Sequence, residues 1–204
     1  LLLEAHFLAD GIPMLPVEVL AIHNRSLIDI ETSDFARVKR LEQAQSIAGI
    51  VQARQTMNPE VNLAVVGDYN AFEFTDGFVD VVGQIAGTVV PGDNLVSDAD
   101  LVDPNLVVQT FNAPAEERYS FNFRGTSQAI DHALTTQGFS EEVVDFAYGR
   151  GNVGAPEIED DNAASALRSS DHDGFVLFVE IKRPLPVALV LGAEDIGVAP
   201  ELAE

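Results

Sequence analysis

Four short polar motifs, each on or just after an apolar strand-like run, constrain what this chain can fold into. They are His23-Asn24-Arg25-Ser26, Gly67-Asp68-Tyr69-Asn70-Ala71, Ile130-Asp131-His132 and Ser170-Asp171-His172-Asp173. Three of the four histidines fall inside them. A chain that repeatedly ends a strand on a carboxylate, an amide or an imidazole lines one rim of a sheet with polar groups. Metal-assisted phosphoester chemistry needs that kind of rim.

The runs that deliver the motifs are legible from periodicity. Residues 17–22 form an apolar strand ending at His23, and residues 61–66 form a buried strand between Pro59 and Gly67. Between them, Ser33 or Asp34 caps a helix reaching about Thr56. Its Phe35, Val38, Leu41, Ala44, Ile47, Ala48 and Val51 recur in steps of three and four residues. A second helix is expected over 78–85, and residues 90–118, with four prolines and glycines (Pro91, Gly92, Pro104, Pro114), read as irregular. Tyr119, Phe121 and Phe123 alternate with polar residues as in a strand, and Gly125-Thr126 turns into a partner strand over 129–134, making a hairpin. Ser140 is expected to cap a short helix through Phe146, residues 149–169 to be a Gly- and acid-rich loop, and 174–181 to be a last strand. The chain divides into one catalytic-type unit over 1–181 and a linker or tail over 182–204.

At 204 residues and 47% hydrophobic the chain suits one domain with a real core. It has no cysteine, which excludes disulfides and thiolate metal sites. No apolar run is long enough to span a bilayer as a helix. It opens on Leu1-Leu2-Leu3-Glu4, without an initiator Met, and reads as an excerpt of a longer protein. With 33 acidic against 11 basic residues the net charge is −22, a solvated acidic shell. Such a shell repels nucleic acid at low ionic strength, so any contact needs local cations, divalent ions or salt.

Each motif has a bland reading beside a chemical one. Asp68 and Asn70, two apart after Gly67, point into a site where Asp68 orients or deprotonates water and Asn70 donates to a phosphoryl oxygen; alternatively they make an Asx-turn. In Ser170-Asp171-His172-Asp173, Asp171 and His172 bring a metal-binding carboxylate and an imidazole together, or Asp caps a turn. Asp131 on a buried strand needs a partner, which His172 would supply. His132 faces the opposite side of that strand, so only Asp131 reaches the site. His23 is a structural histidine unless Arg25 and Ser26 beside it make an anion-facing edge. His6 is structural, and the acidic run 157–161 lacks the spacing of a Ca2+ loop.

Taken together, the motifs resemble the endonuclease/exonuclease/phosphatase superfamily, and within it the bacterial extracellular nucleases. His23-Asn24-Arg25-Ser26 stands where that family has His-x-Lys-Ser, and a helix with Arg40, Gln43 and Gln45 precedes Gly67-Asp68-Tyr69-Asn70-Ala71, similar to Gly-Asp-Phe-Asn-Ala. Tyr119-Ser120-Phe121 through Ile130-Asp131-His132 resembles Tyr-Ser-Tyr…Leu-Asp-His, and Ser170-Asp171-His172 the closing Ser-Asp-His.

The resemblance implies an α/β (α+β) fold: half or more of a four-layer α/β/β/α sandwich of the DNase-like type, mainly the second sheet with its helices. It implies a secreted phosphodiesterase acting on DNA, or also RNA, with Mg2+ or Mn2+ as cofactor and Ca2+ as the alternative. His172 would be the base or transition-state stabiliser, oriented by Asp131. Asp68 would position water and, with Asp171, hold the metal. Asn70, Arg25 and Ser26 would bind phosphate, and His23 would assist the leaving group. The family's earlier Asn and Glu have no counterpart before His23, so the amino-terminal half of the domain is expected as a missing partner and the inner sheet face as uncovered. The same machinery on a lipid or inositol phosphoester, or a non-catalytic module keeping the fold, are the rival readings.

Overall fold

The computed structural model describes residues 1–9, 12–160 and 162–181; the expected tail over 182–204 lies outside the described residues. In chain order the elements are β1 (Leu2–Ala9), β2 (Ile12–His23), α1 (Asp34–Met57), β3 (Leu63–Asp68), α2 (Val81–Ala86), β4 (Val107–Val108), β5 (Phe121–Phe123), β6 (Thr126–Gln128), β7 (Asp131–Thr135), α3 (Gln137–Ser140), β8 (Val143–Tyr148) and β9 (Phe175–Val179). A five-stranded mixed sheet runs β1-β2-β3-β7-β4, with β2 and β3 parallel and the other pairs antiparallel. The β5–β6 and β8–β9 pairs form two small sheets of their own.

The central strands are buried on both faces, which is why residues 61–66 read as a continuous apolar run. Leu63, Val65 and Leu134 face α1 and α2, packing with Leu41, Ala48, Val51 and Ile85. Ala64, Val66 and Ala133 face the other way, against Phe146, Phe175, Leu177 and Val179 of β8 and β9. The layers are therefore helices, a five-stranded sheet and the β8–β9 pair, a partial α/β sandwich. The inner face expected to be bare is covered in part by β8–β9.

Helix α1 begins as expected: the Ser33 hydroxyl accepts the Ala36 N–H, satisfying one donor of the first turn. Its buried stripe is rotated from the expected one. Phe35 and Val38 are exposed, and Arg37 and Arg40 occupy the inward places instead. The two arginines bind the carbonyls of Ile30 and Arg25, polar groups of the irregular 24–33 segment that the first helical turns cover.

Three further expectations change. Helix α2 is confined to Val81–Ala86, because Asp80 caps the Gly83 N–H and Gly87 ends it in the left-handed region. The partner of β5 is Thr126–Gln128 rather than 129–134, since β7 pairs with β3 in the main sheet. Residues 143–148 form a strand rather than a helix, because Phe146 and Tyr148 alternate onto the core and the backbone pairs with β9.

Candidate active site

The ladders of the main sheet set the first half of the site. Register pairs His23 of β2 with Asp68 of β3, and Asp68 with Asp131 of β7, so three polar residues end three neighbouring strands in one row. Asp68 continues the face of Ala64 and Val66, and Asp131 that of Ala133, toward β8–β9. Gly67 makes this possible. It has φ +134, and a Cβ there would collide with the Ile22 carbonyl oxygen on the parallel neighbour, so no other residue fits without moving β2.

After Asp68 the chain turns sharply. Asp68 Oδ1 accepts the Asn70 N–H at 2.7 Å, an Asx-turn, while Asn70 Nδ2 donates to Asp68 Oδ2 at 2.8 Å and to the Asn24 carbonyl at 3.1 Å. The bland and chemical readings thus coexist: Asn70, at φ 48, is a turn residue whose amide holds the Asp68 carboxylate. His23 Nε2 lies 3.3 Å from Asp68 Oδ2, on a ring that is 77% exposed.

The second half comes from the loop before β9. His172 Nδ1 lies 2.7 Å from Asp131 Oδ2, with side chains 22% and 13% exposed, the pairing anticipated from the sequence. The ring of Phe121 lies 4.8 Å from the imidazole. Ligand atoms of Asp68, Asp131 and His172 lie within 4.8 Å of one another, and the donor set of two carboxylates and an imidazole fits a hard divalent cation. Asp171 is exposed and lies outside that group, which Asp131 joins instead.

Electrostatics match the crowding. Burial pushes the Asp68 carboxyl above its usual range, and Asp131 adds to that; the Asn70 N–H, His172 and His23 oppose it. For His172, burial lowers the pKa, but the bond to Asp131 and the charges of Asp131, Asp68 and Asp171 outweigh it and the net shift is upward.

His132 lies on the other face, as expected. It is fully buried, with Nε2 2.8 Å from the Ala71 carbonyl and Nδ1 2.9 Å from the Thr110 hydroxyl; burial takes its pKa down to about 4. The neutral tautomer with hydrogen on Nε2 satisfies both contacts. Of the expected phosphate ligands, Arg25 uses its main chain on Gln43 and Arg40 and stacks its guanidinium on Phe35, with Nε buried and unpartnered among the described residues. Ser26 is partly buried on the same segment. A groove of about 690 Å³ beside His23 is lined by Asn24, Lys39, Gln43 and Ser46.

Four supporting residues escaped sequence reasoning. Asp173, 1% exposed, accepts the N–H groups of Asn152 at 2.9 Å and Val153 at 3.2 Å and the Arg150 guanidinium at 3.0 Å. Asn152 Nδ2 donates to the His172 carbonyl at 2.7 Å. Buried Ser120 receives the N–H groups of Ile130 and Asp131 on its hydroxyl and that of Asp173 on its carbonyl, so one residue joins β7 to the His172 loop. Tyr148 donates to the Asp131 carbonyl at 2.7 Å. Asp173 inside Ser170-Asp171-His172-Asp173 and Ser120 inside Tyr119-Ser120-Phe121 were the signals available.

Similar solved structures include truncated Caenorhabditis elegans TDP2, at 14% identity and TM-score 0.47, covering 79% of this chain and 53% of that one. A 3'-5' exonuclease, NExo, from Neisseria meningitidis is 16% identical with TM-score 0.48, covering 84% and 66%. The 3' phosphatase NExo from Neisseria bound to a product DNA hairpin is 16% identical with TM-score 0.46, covering 82% and 65%. The chain spans about half to two thirds of the length of these structures. No protein-family model and no curated protein matches the sequence. Likeness at this level leaves the chemistry to rest on the side chains themselves.

Proposed function

We propose that this protein is a metal-dependent phosphodiester hydrolase, an extracellular nuclease that cleaves DNA, and RNA as a further substrate, by in-line attack of water. The observation that carries this reading is the meeting of Asp68, Asn70, Asp131 and His172, from three separated stretches of chain, at one rim. The extracellular setting and the choice of nucleic acid rest on the resemblance of the motifs.

The imidazole does the proton work. Asp131 takes Nδ1 of His172, which fixes the ring and leaves Nε2 free for the reacting atoms. The neutral ring accepts a proton from the attacking water, and Asp131 stabilises the imidazolium that forms beside the phosphorane-like transition state. Asp68 positions the water; Asn70 turns an amide N–H from it to a phosphoryl oxygen. His23, exposed beside Asp68, faces the leaving oxygen, with Arg25 and Ser26 at the anion-facing edge. Asp68 and Asp131 would hold Mg2+ or Mn2+, or Ca2+ with more oxygen ligands. Such an ion supplies Lewis-acid polarisation of a phosphoryl oxygen when bound.

A second reading is the same machinery on a lipid or inositol phosphoester; the net charge of −22, which opposes a polyanionic substrate, favours its lipid form, whose zwitterionic headgroup carries no net charge. No helix among the described residues is long and apolar enough to cross a membrane. Plasmid cleavage with Mg2+, with Mn2+ and with EDTA, run beside sphingomyelin and an inositol polyphosphate, separates the readings. Metal-supported nicking of the plasmid is expected; cleavage that persists in EDTA would overturn the metal-dependent mechanism, and turnover of the lipid or inositol substrate alone would replace the nuclease.

A further inference from the structure

The acid-rich surface leaves few cations unclaimed. Among the described residues, Arg25, Arg118 and Arg124 form no ion pair, in a chain with 33 acids and 11 bases. Each lies instead over a Phe ring: Arg25 on Phe35 at 5.7 Å, Arg118 on Phe111 at 5.2 Å and Arg124 on Phe123 at 5.1 Å. Those rings are 69%, 49% and 51% exposed. A guanidinium beside an open ring face is what a nucleobase and its phosphate require, stacking for one and charge for the other.

Of these pairs, that of Arg124 and Phe123 ends the strand whose Phe121 meets the His172 ring. Phe121 and Phe123 share a face of β5 because side chains alternate along a strand. Phe121 touches the His172 ring at 4.8 Å, which puts Phe123 about 7 Å further out along the same face. The hairpin tip is built to stand still. Arg124 at φ 52 and Gly125 at φ 86 make the tight two-residue turn that matches strand twist, and Asn122 Oδ1 accepts the Gly125 N–H at 2.8 Å. At the base, Ser120 bonds β6, β7 and Asp173 together, so the tip is indexed to Asp131 and His172. Phe123 is 51% exposed, and the Arg124 guanidinium lies over its ring.

We infer that the β5–β6 hairpin is a stacking platform for an unpaired nucleobase beside the scissile phosphate, with Phe123 beneath the base and Arg124 on a flanking phosphate. The inference rests on the nuclease reading and names its substrate class: single-stranded or frayed nucleic acid in preference to intact duplex. A base within a duplex is already stacked on both faces and reaches Phe123 only after unstacking, which carries its own cost.

The test is fluorescence anisotropy on the full-length protein in EDTA, with a labelled single strand of twelve or so nucleotides and the blunt duplex of the same sequence, over a salt series. The single strand is expected to bind more tightly. Phe123→Ala is expected to weaken single-strand binding about tenfold or more, with a loss on duplex several times smaller. Phe123→Trp should retain the binding. Arg124→Ala should reduce the logarithmic salt slope on the single strand by about 0.7. An unchanged affinity in Phe123→Ala, or equal losses on strand and duplex, would overturn the platform. The two readings fail separately. A protein that nicks plasmid normally but shows no Phe123 effect refutes the platform alone, and one that binds strands through Phe123 but hydrolyses no diester refutes the catalysis alone.

Discussion

On the sheet, His23, Asp68 and Asp131 stand in one row because the backbone ladders of β2, β3 and β7 place them there; in the loop before β9, His172 stands where it does because a few buried side chains hold it. The carboxylates need only register, and register is enforced by every apolar residue that faces α1 or β8–β9. The imidazole depends on Asp173 with its Arg150, Asn152 and Val153 partners, on Asn152 reaching the His172 carbonyl, and on Ser120 receiving Asp173. A ladder fails as a whole, whereas a network of side chains can be dismantled one bond at a time. The half that carries the proton is therefore the half most open to perturbation.

His172→Ala should have the largest effect on chemistry, lowering turnover by roughly a thousandfold while folding stability moves by less than about 1 kcal/mol. Steady-state kinetics beside a urea melt check this; near-normal turnover would remove His172 from the mechanism. Asp173→Ala breaks the network and leaves the row untouched. It should cost about 2–4 kcal/mol, since two backbone donors and a guanidinium lose a buried acceptor, and should abolish protection from hydrogen exchange in the His172 loop before that in β3 and β7. Uniform loss across both regions would mean the two halves are one cooperative unit.

Acid acts on the sheet half through His132. Its folded pKa of about 4 lies below the unfolded value near 6.5, so between those values the unfolded chain binds more protons. Stability should fall as pH drops through that window, by on the order of 3 kcal/mol at its end, and level off below it. His132→Gln should flatten this slope in pH-dependent urea melts; an unaltered slope would assign the acid sensitivity to other groups. The smallest expected effect is Ser120→Ala, about 1 kcal/mol for hydroxyl bonds to Ile130 and Asp131, with turnover reduced in the same proportion because the hairpin and Asp131 lose their common tie.

Legibility followed the range of the interactions. The course of β2, α1 and β3 could be read from the sequence because alternation, helical period and the Ser33 cap act over a few residues. A helix expected through Phe146 is a strand from Val143 on, because its strand character is realised by pairing with β9, some thirty residues on. The hairpin was anticipated with the wrong partner: β7 competes for the same neighbours and is taken by β3, whose buried edge offers more apolar surface. Phe35 and Val38 fit the helical stripe and yet are exposed, since the carbonyls of the 24–33 segment demanded Arg37 and Arg40 beneath them.

In the site, the sequence by itself determined the chemical inventory and the strand ends that present it: Asp68, Asn70, Asp131, His172 and the glycine that lets Asp68 turn are written locally. Tertiary structure alone decided that Asp131 rather than Asp171 joins Asp68 and His172, and that Asp173, Asn152, Arg150 and Ser120 hold the loop. The reason is physical: a turn or a cap is chosen by neighbours in the chain, but which carboxylate meets an imidazole 41 residues away is chosen by sheet register and loop packing, which no local pattern encodes.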